Sequence, residues 1–145
     1  MKLIFPGTFD PFTIGHDDIV RRALAFADEV IVAIGINEGK HTLFSLEERL
    51  DAIKAVYEDE SRVRVISYGG LTTDCAAELG ADAILRGVRN MVDFEYEKNI
   101  ADVNRSLTGI DTILLFTDLS FAAVSSSVVR ELIHFGKDVT NFLPK

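Results

Sequence analysis

Cysteine, proline and tryptophan are scarce in this sequence, with one, three and none among 145 residues. The single cysteine, Cys75, excludes a disulfide within the chain and a thiolate metal cluster, and such usage is typical of a reducing compartment. We expect Cys75 to be a small buried apolar residue, because no local base would activate its thiol. No apolar run approaches the length that spans a bilayer or forms an export signal. The sequence therefore predicts a cytoplasmic protein that does not enter a membrane.

Basic residues are also fewer than acidic ones. Lys and Arg number 15 against 23 Asp and Glu, which gives a formal net charge of -8. Binding of nucleic acid or an anionic membrane over a broad surface depends on basic residues that displace counterions, so this charge argues against both partners. An anionic substrate must therefore meet a local cluster of cations. The length and the 48% hydrophobic content predict one domain over residues 1–145.

Strands and helices are predicted to alternate five times along the chain. Short apolar or β-rich runs predict strands at 3–5, 29–34, 62–67, 82–85 and 111–117. Helical spacing and cap signals predict helices at 17–27, 45–57, 72–79 and 128–135, and a longer one between the last two strands. We expect the third strand to lie near an edge and the fifth to be buried. The longer helix is expected to have an apolar side formed by Phe94, Ile100, Ala101, Val103 and Leu107.

This alternation, without a repeat or a linker, predicts a Rossmann-like, doubly wound α/β fold. Right-handed crossovers and one reversal of direction give a five-stranded parallel sheet in the order 3-2-1-4-5, with helices on both faces. Polar clusters at 8–16, 86–89 and 121–127 follow the first, fourth and fifth strands, which are neighbours in that order. The three clusters are therefore expected to meet in one crevice at the carboxyl ends of the strands.

The first of these clusters has the composition of a phosphate site. Thr8, Thr13 and His16 supply polar groups just before and within the start of a helix. Gly7 and Gly15 lack side chains and would let the backbone approach a ligand, while exposed amides at the helix start favour an anion. Taken alone, a histidine after a glycine, as at His16, is by default a surface or capping residue.

Familiar signatures of other activities are absent. The chain has no GxGxxG dinucleotide fingerprint, no GxxxxGK[ST] P-loop and no GxSxG nucleophile elbow. Hydrogen-bond donors and the cations Lys40, Arg86 and Arg89 remain, and these suit a polyphosphate, because nucleotidyl transfer depends on positioning and charge stabilisation. Asp93 and Glu97 belong to an acidic run that spreads around a helix, which favours salt bridges over a metal cluster.

Five ordered motifs resemble those of the phosphopantetheine adenylyltransferases, a family of nucleotidyltransferases with a T-x-G-H signature. They are Gly7-Thr8-Phe9-Asp10-Pro11 with Thr13-Ile14-Gly15-His16, Leu43-Phe44-Ser45-Leu46-Glu47-Glu48-Arg49, Arg86-Gly87-Val88-Arg89, Asp93-Phe94-Glu95-Tyr96-Glu97 and Ser125-Ser126-Ser127-Val128-Val129-Arg130. The resemblance extends from Leu3 to Pro144.

That resemblance implies transfer of the adenylyl group of ATP to 4'-phosphopantetheine, giving dephospho-coenzyme A and pyrophosphate, the penultimate step of coenzyme A biosynthesis. It implies Mg²⁺ as cofactor and direct in-line attack without a covalent intermediate. It also implies a homohexamer, a dimer of trimers, with coenzyme A as a feedback inhibitor.

The resemblance assigns roles to individual residues. Thr8, His16, Lys40 and Arg89 are implied as catalytic, with His16 stabilising the pentavalent α-phosphate. The implied ATP-binding residues are Thr8, Phe9, His16, Gly87, Val88, Arg89, Glu97, Phe121, Ala122, Ala123, Val124, Ser125, Ser126 and Ser127. The implied pantetheine-binding residues are Thr8, Lys40, Thr72 and Arg86, and no residue is implied as a metal ligand. The chain departs from the family pattern at Ala123, where relatives commonly carry a bulky aromatic residue.

Several structural interpretations stand beside these roles. Ser125 to Ser127 can cap the last helix as well as bind an anion, since both use the same helix end. Glu47, Glu48 and Arg49 are expected to form a solvated first turn of helix, and His41 and His134 are given no role.

Two alternative functions remain at this point. One is another T-x-G-H transferase, such as a cytidylyltransferase that acts on a phosphorylated alcohol; the Arg86–Arg89 and Asp93–Glu97 motifs favour the pantetheine enzyme over it. The other is a nucleotide-sensing module that keeps the fold without catalysis. Loss of Thr8 or His16 would mark such a module, and both are present.

Overall fold

The computed structural model describes all residues 1–145 and contains five strands and five α-helices in alternation. In chain order they are β1 Lys2–Gly7, α1 Ile14–Ala23, β2 Glu29–Gly35, α2 Leu46–Val56, β3 Val63–Tyr68, α3 Thr72–Leu79, β4 Ala83–Val88, α4 Met91–Thr108, β5 Asp111–Phe116 and α5 Ser126–His134. Single 3-10 turns occur at Leu119–Phe121 and Thr140–Phe142. None of the helices has the length and apolarity that a bilayer crossing requires.

All strand pairs are parallel, and the order is β3-β2-β1-β4-β5. This confirms the predicted Rossmann-like sheet and the expected edge position of β3. The reversal of strand order lies between β1 and β4, where Leu3 pairs with Ala83 and Ile4 with Ile84. The loops after β1 and β4 therefore open at the same edge of the sheet, at the switch point where open α/β sheets bind ligands.

The core is divided between the two faces of the sheet because successive strand side chains point in opposite directions. Leu3 and Phe5 join the larger cluster beneath α1 and α2, whereas Ile4 lies on the opposite face against α3. Cys75 is 7% exposed in this smaller cluster, which confirms the expectation of a buried apolar residue. Burial of the central strands on both faces explains their continuous apolar runs.

The first helix begins three residues earlier than predicted, at Ile14. Thr13 is its N-cap: the Thr13 hydroxyl accepts a hydrogen bond from the backbone N–H of His16, and the His16 ring accepts one from the backbone N–H of Thr13. A histidine in the position where a capping box usually has Glu or Gln obscured this start in the sequence. The helix also ends earlier, at Ala23 instead of Ala27.

Helix α4 and strand β5 are more exposed than their sequences suggest, and the prediction that the fifth strand is buried was wrong. In α4 only Glu97 is buried, and Phe94, Ile100, Val103 and Leu107 are between 36% and 62% exposed. A cavity lies between α4 and the sheet, and Ile100 and Leu107 line it, so these two side chains face open space where packing on strands would bury them. Strand β5 is half-buried, since it lies at the edge of the sheet with β4 as its one neighbour.

Candidate active site

The loop between β1 and α1 forms the centre of the site and is packed around the His16 ring. Phe9 and Phe12 lie with ring centroids 5.0 Å and 5.3 Å from that of His16, the first edge-on and the second stacked. Phe5 closes a third side at 6.2 Å. The aromatic neighbours fix the imidazole in place, and one edge of it remains open to the crevice.

Phe9 occupies this position through an unusual backbone conformation. Its φ is +52°, in the left-handed region that non-glycine side chains rarely adopt. The ring folds back so closely over Gly7 that a Cβ on Gly7 would lie 2.8 Å from it. Gly7 is therefore required by the Phe9 ring, whereas the sequence suggested that it leaves room for a ligand. Because Phe9 is 4% exposed, its ring is closed to solvent, and its backbone is the part available to a ligand in the adjoining cavity.

His16 is a neutral hydrogen-bond donor in this setting. Burial, reinforced by the positive charges of Arg86 and Arg89, lowers the pKa of His16 from its usual value near 6.5 to about 3. The backbone N–H of Thr13 donates to Nδ1 at 2.9 Å, so Nδ1 is an acceptor and the ring proton lies on Nε2. His16 can therefore donate Nε2–H to a phosphate oxygen at neutral pH without first being protonated.

A cavity of about 330 Å³ lies beside His16 and brings together most of the residues predicted to bind ATP. Its lining includes Thr8, Phe9, His16, Lys40, Arg86, Gly87, Arg89, Glu97, Val124, Ser125, Ser126 and Ser127. The residues Val88, Phe121, Ala122 and Ala123 do not line it. Thus the three polar clusters after β1, β4 and β5 do meet in one crevice.

Two helices present their N-termini to this cavity. Gly15 in the first turn of α1 lines it, as does Ser126 in the first turn of α5. Ser125 caps α5 by accepting from the backbone N–H of Val128, so the serine cluster is a cap and a wall of the cavity at once. The unpaired backbone N–H groups and the partial positive charge of both helix ends favour an anion here.

A second cavity of about 730 Å³ adjoins the first, between α3, α4 and the sheet. Thr72, the remaining predicted pantetheine contact, lines this cavity, and its hydroxyl lies 2.8 Å from that of Tyr68. On the opposite side the wall is the exposed apolar part of α4, including Ile100 and Leu107. The residues that line both cavities are Gly7, Thr8, Lys40, Arg86 and Glu97.

Specific partners hold the cations Lys40 and Arg86 at this shared boundary, and also Arg89 in the smaller cavity. Lys40 Nζ donates to the Thr8 hydroxyl at 3.0 Å. Arg89 Nε donates to Asp93 at 2.9 Å, and Nη1 of Arg89 has no protein partner. Arg86 is fixed by Glu97 and by the carbonyl of Pro6.

The carboxylates of the site are not arranged to hold a metal ion. No group of three or more His, Cys, Asp or Glu side chains has the geometry of a metal site. Asp93 and Glu97 are each paired with an arginine, and the Asp10 carboxylate accepts the backbone N–H groups of Leu43 and Phe44. The protein therefore offers donors and cations to a polyphosphate, and its own carboxylates are already used.

Asp10 and Arg130 in the site, and Arg49 behind it, belong to quoted motifs but received no functional role from the sequence. Asp10 and Arg130 line the smaller cavity, and Nη1 of Arg130 donates to the carbonyl of Asp10 at 2.8 Å. Arg49 was expected to be solvated and is 8% exposed, whereas Glu47 and Glu48 are exposed as predicted. The position of Asp10 and Arg130 within the motifs was the available signal; no local pattern distinguished Arg49 from its exposed neighbours.

Comparison with known proteins finds relatives over nearly the whole chain. A family model described as cytidylyltransferase-like matches residues 4–132. A phosphopantetheine adenylyltransferase of Bacteroides fragilis is 54% identical over 144 residues, which cover 99% of this chain and 96% of that protein. One of the same name from Phocaeicola vulgatus is 56% identical over 144 residues, covering 99% of this chain and 95% of that protein.

Solved structures support the fold at much lower identity. A bifunctional NMN adenylyltransferase/ADP ribose pyrophosphatase from Francisella tularensis superimposes with a TM-score of 0.73 at 19% identity, covering 99% of this chain and 45% of that one. A lipopolysaccharide core biosynthesis protein from Thermoplasma volcanium gives 0.59 at 22% identity, covering 81% and 96%. The fold thus occurs in proteins with little sequence in common.

Proposed function

The chain belongs to the phosphopantetheine adenylyltransferase family within the cytidylyltransferase-like nucleotidyltransferases, and from that premise we propose how its two cavities divide the reaction. Its role is adenylyl transfer in coenzyme A biosynthesis. In the proposal, ATP occupies the smaller cavity beside His16 and 4'-phosphopantetheine occupies the larger one. The product dephospho-coenzyme A then spans both.

This assignment of substrates rests on the boundary that the two cavities share. Thr8, Lys40 and Arg86 line both, so a phosphate from each side would meet at the same donors. The larger cavity has polar groups at this end and an apolar wall on α4, which matches an acceptor with a phosphate head and a long, partly apolar arm. A cytidylyltransferase with a short acceptor such as glycerol 3-phosphate would leave most of that cavity empty.

The proposed reaction needs no protein base. A terminal phosphate oxygen of 4'-phosphopantetheine attacks the α-phosphorus of ATP in line; the new P–O bond forms as the bond to the β-phosphate oxygen breaks, and pyrophosphate leaves with that electron pair. The nucleophile is already an anion, so the barrier comes mainly from bringing two anions together and from charge on the α-phosphate. Lys40 and Arg89 offset the repulsion, and Nε2–H of His16 donates to the α-phosphate.

Mg²⁺ remains part of the proposal only as a companion of ATP. In nucleotide sites this ion often keeps several waters and binds through substrate phosphates, where it neutralises their charge. The paired carboxylates described above do not fit a dedicated Mg²⁺ site, so no residue of this chain is proposed as its ligand.

Three further expectations also stay proposals. A homohexamer would cover part of the exposed apolar stripe of α4, formed by Tyr96, Ile100, Val103 and Leu107, because exposed apolar surface of this kind favours association. Coenzyme A would inhibit, since it contains the pantetheine and adenylate parts of the product. A cytoplasmic location fits this biosynthetic role and the single reduced cysteine.

The test is pyrophosphate release by the purified protein with Mg²⁺, comparing ATP with CTP and 4'-phosphopantetheine with glycerol 3-phosphate. Release that requires both ATP and 4'-phosphopantetheine is the expected result. Activity only with CTP and the other acceptor would move the substrates to the cytidylyltransferase alternative. No release with any pair, from folded protein that binds ATP, would contradict catalysis and favour a sensing role.

A further inference from the structure

Arg49 is the one buried cation of the chain, and it has no acidic partner. Arg49 is 8% exposed. No carboxylate oxygen lies within 4.0 Å of its guanidinium nitrogens, the distance that defines an ion pair. Removing a charge from water without a counterion is costly, and apolar residues of similar volume often replace buried charges without loss of stability. A contribution to folding alone is therefore a weak explanation for an arginine at this position.

The guanidinium of Arg49 instead joins two separate segments through backbone carbonyls. Its Nη1 donates to the carbonyl of Thr8 at 2.8 Å. Its Nε donates to the carbonyls of Phe44 at 3.2 Å and Ser45 at 3.3 Å. The first segment is the loop after β1; the second ends the loop that carries Lys40 and leads into α2.

Asp10 completes this connection from the opposite side. Its carboxylate accepts the backbone N–H groups of Leu43 at 2.8 Å and Phe44 at 2.9 Å. The backbone N–H and C=O of Phe44 are thus held by Asp10 and Arg49 respectively. We call this arrangement the Asp10–Arg49 clasp. The carboxylate of Asp10 and the guanidinium of Arg49 balance each other in charge but do not contact each other.

The residues that the clasp positions are the ones assigned to the transferred phosphates. The Thr8 carbonyl accepts a hydrogen bond from Arg49, and the Thr8 hydroxyl accepts one from Lys40 Nζ at 3.0 Å. Thr8 therefore connects Arg49 with Lys40. Arg49 itself lines neither the smaller nor the larger cavity, and it cannot contact a substrate there. Any influence it has on the reaction must pass through Thr8 and the Lys40 loop.

We infer that Arg49 is a positioning residue for adenylyl transfer, which sets Thr8 and Lys40 at a fixed separation; the inference rests on the proposed function. Lysine cannot replace it, because one ammonium on a flexible stem does not span carbonyls on two segments as a planar fork does. Misplacement of reacting groups by about 1 Å can cost about 100-fold in rate. The loss belongs mainly in kcat, since His16, Arg89 and Ser125 to Ser127, which line the rest of the ATP cavity, make no hydrogen bond with Arg49.

The experiment compares Arg49→Met and Arg49→Lys with Arg62→Met. Arg62 also donates to a backbone carbonyl, that of Leu24 at 3.2 Å, but lies outside both cavities and is exposed. We expect kcat to fall about 100-fold in Arg49→Met and about 10-fold in Arg49→Lys, with the Kd for ATP within about threefold of wild type. Arg62→Met should keep wild-type kcat. If the methionine variant does not fold, the lysine variant, which keeps the charge and the stem, decides the question.

A double-mutant cycle separates positioning from general damage. In a Lys40→Met background, Arg49→Lys should cost much less in kcat than in the wild type, because the group it positions is gone. Equal costs in both backgrounds, or folded Arg49 variants with kcat within twofold of wild type, would overturn the inference.

A measurement independent of activity distinguishes this inference from the proposed function. Amide hydrogen exchange at residues 8–10 and 42–45 should be faster in Arg49→Lys than in Arg62→Met. Unchanged exchange would overturn the clasp even in an active enzyme. Wild-type protein that releases no pyrophosphate would contradict the proposed function and leave the exchange result to decide the clasp.

Discussion

Arg86 and Glu97 form a two-point ion pair where the two cavities meet. Arg86 Nε lies 2.9 Å from Oε2 of Glu97, and Nη2 lies 2.7 Å from Oε1. Glu97 is 5% exposed and both of its carboxylate oxygens are engaged. The family resemblance implies that Arg86 binds one substrate and Glu97 the other, and the ion pair links these implied roles, because Glu97 fixes the direction of the Arg86 guanidinium.

Glu97→Gln tests this link. The amide cannot accept two charged hydrogen bonds, so Arg86 loses its fixed direction and a buried group is left poorly paired. We expect kcat to fall about 10-fold and the free energy of unfolding to fall by about 1–3 kcal/mol. Steady-state kinetics and thermal melts measure both. Glu95→Gln, exposed on the same helix and without an ion pair, should change neither; an equal effect there would contradict the assignment.

His16→Ala should separate catalysis from binding. Removal of the Nε2–H donor to the α-phosphate is expected to lower kcat by about 10³-fold, while the Kd for ATP changes little. Turnover assays and calorimetric ATP titration give the two values. His134→Ala removes an exposed imidazole next to Phe135, outside both cavities, and should behave as wild type. Loss of ATP binding in His16→Ala would show that His16 acts mainly in binding.

The pH dependence of stability should depend on His16. Its pKa in the folded protein is about 3, below the ordinary value near 6.5, so below pH 6.5 the unfolded chain binds a proton that the folded protein does not. Stability therefore decreases as the pH falls from 7 to 5, by up to about 2 kcal/mol for this group. Urea unfolding of wild type and His16→Gln at both pH values should show a smaller decrease in the variant. Parallel decreases would mean that the folded-state pKa is not depressed.

Lys40→Met should weaken the transfer through loss of charge at the shared boundary. With the ammonium removed from the Thr8 hydroxyl, the two substrate phosphates repel each other more strongly. We expect kcat/KM for 4'-phosphopantetheine to fall about 100-fold. Lys54→Met, in the exposed last turn of α2, is the matched control and should retain wild-type kinetics. A variant of Lys40 that behaves like this control would exclude Lys40 from the site.

Val103→Glu tests whether the apolar stripe of α4 is an interface between copies. The wild type is expected to have about six times the mass of the 16.0 kDa chain in light scattering. A carboxylate at Val103, which is 58% exposed in the single chain, would have to be buried without a partner in such an assembly and should lower that mass. Ser106→Glu, exposed on the same helix, is the control. A wild-type monomer would contradict the hexamer proposal.

Much of this protein follows from features that are local in the chain. The apolar runs of β1, β2 and β4 are continuous because those strands are buried on both faces, so the runs predict strands and a parallel sheet. The polar clusters stand directly after strands, and parallel strands end at one edge, so the meeting of Thr8, His16 and Arg86 could be predicted before any coordinate was known. Five motifs in the same order then specify the family.

Tertiary structure decided which of these residues are buried and what they contact. The spacing of Ile100 and Leu107 on α4 is the same whether the helix packs on a sheet or borders a cavity, so their exposure could not be predicted. Arg49 looks like a solvated residue in its own helix, and only a carbonyl 41 positions away makes it part of the site. Helix and strand patterns are determined by neighbours in sequence, whereas burial and hydrogen-bond partners depend on which distant segments the fold brings together.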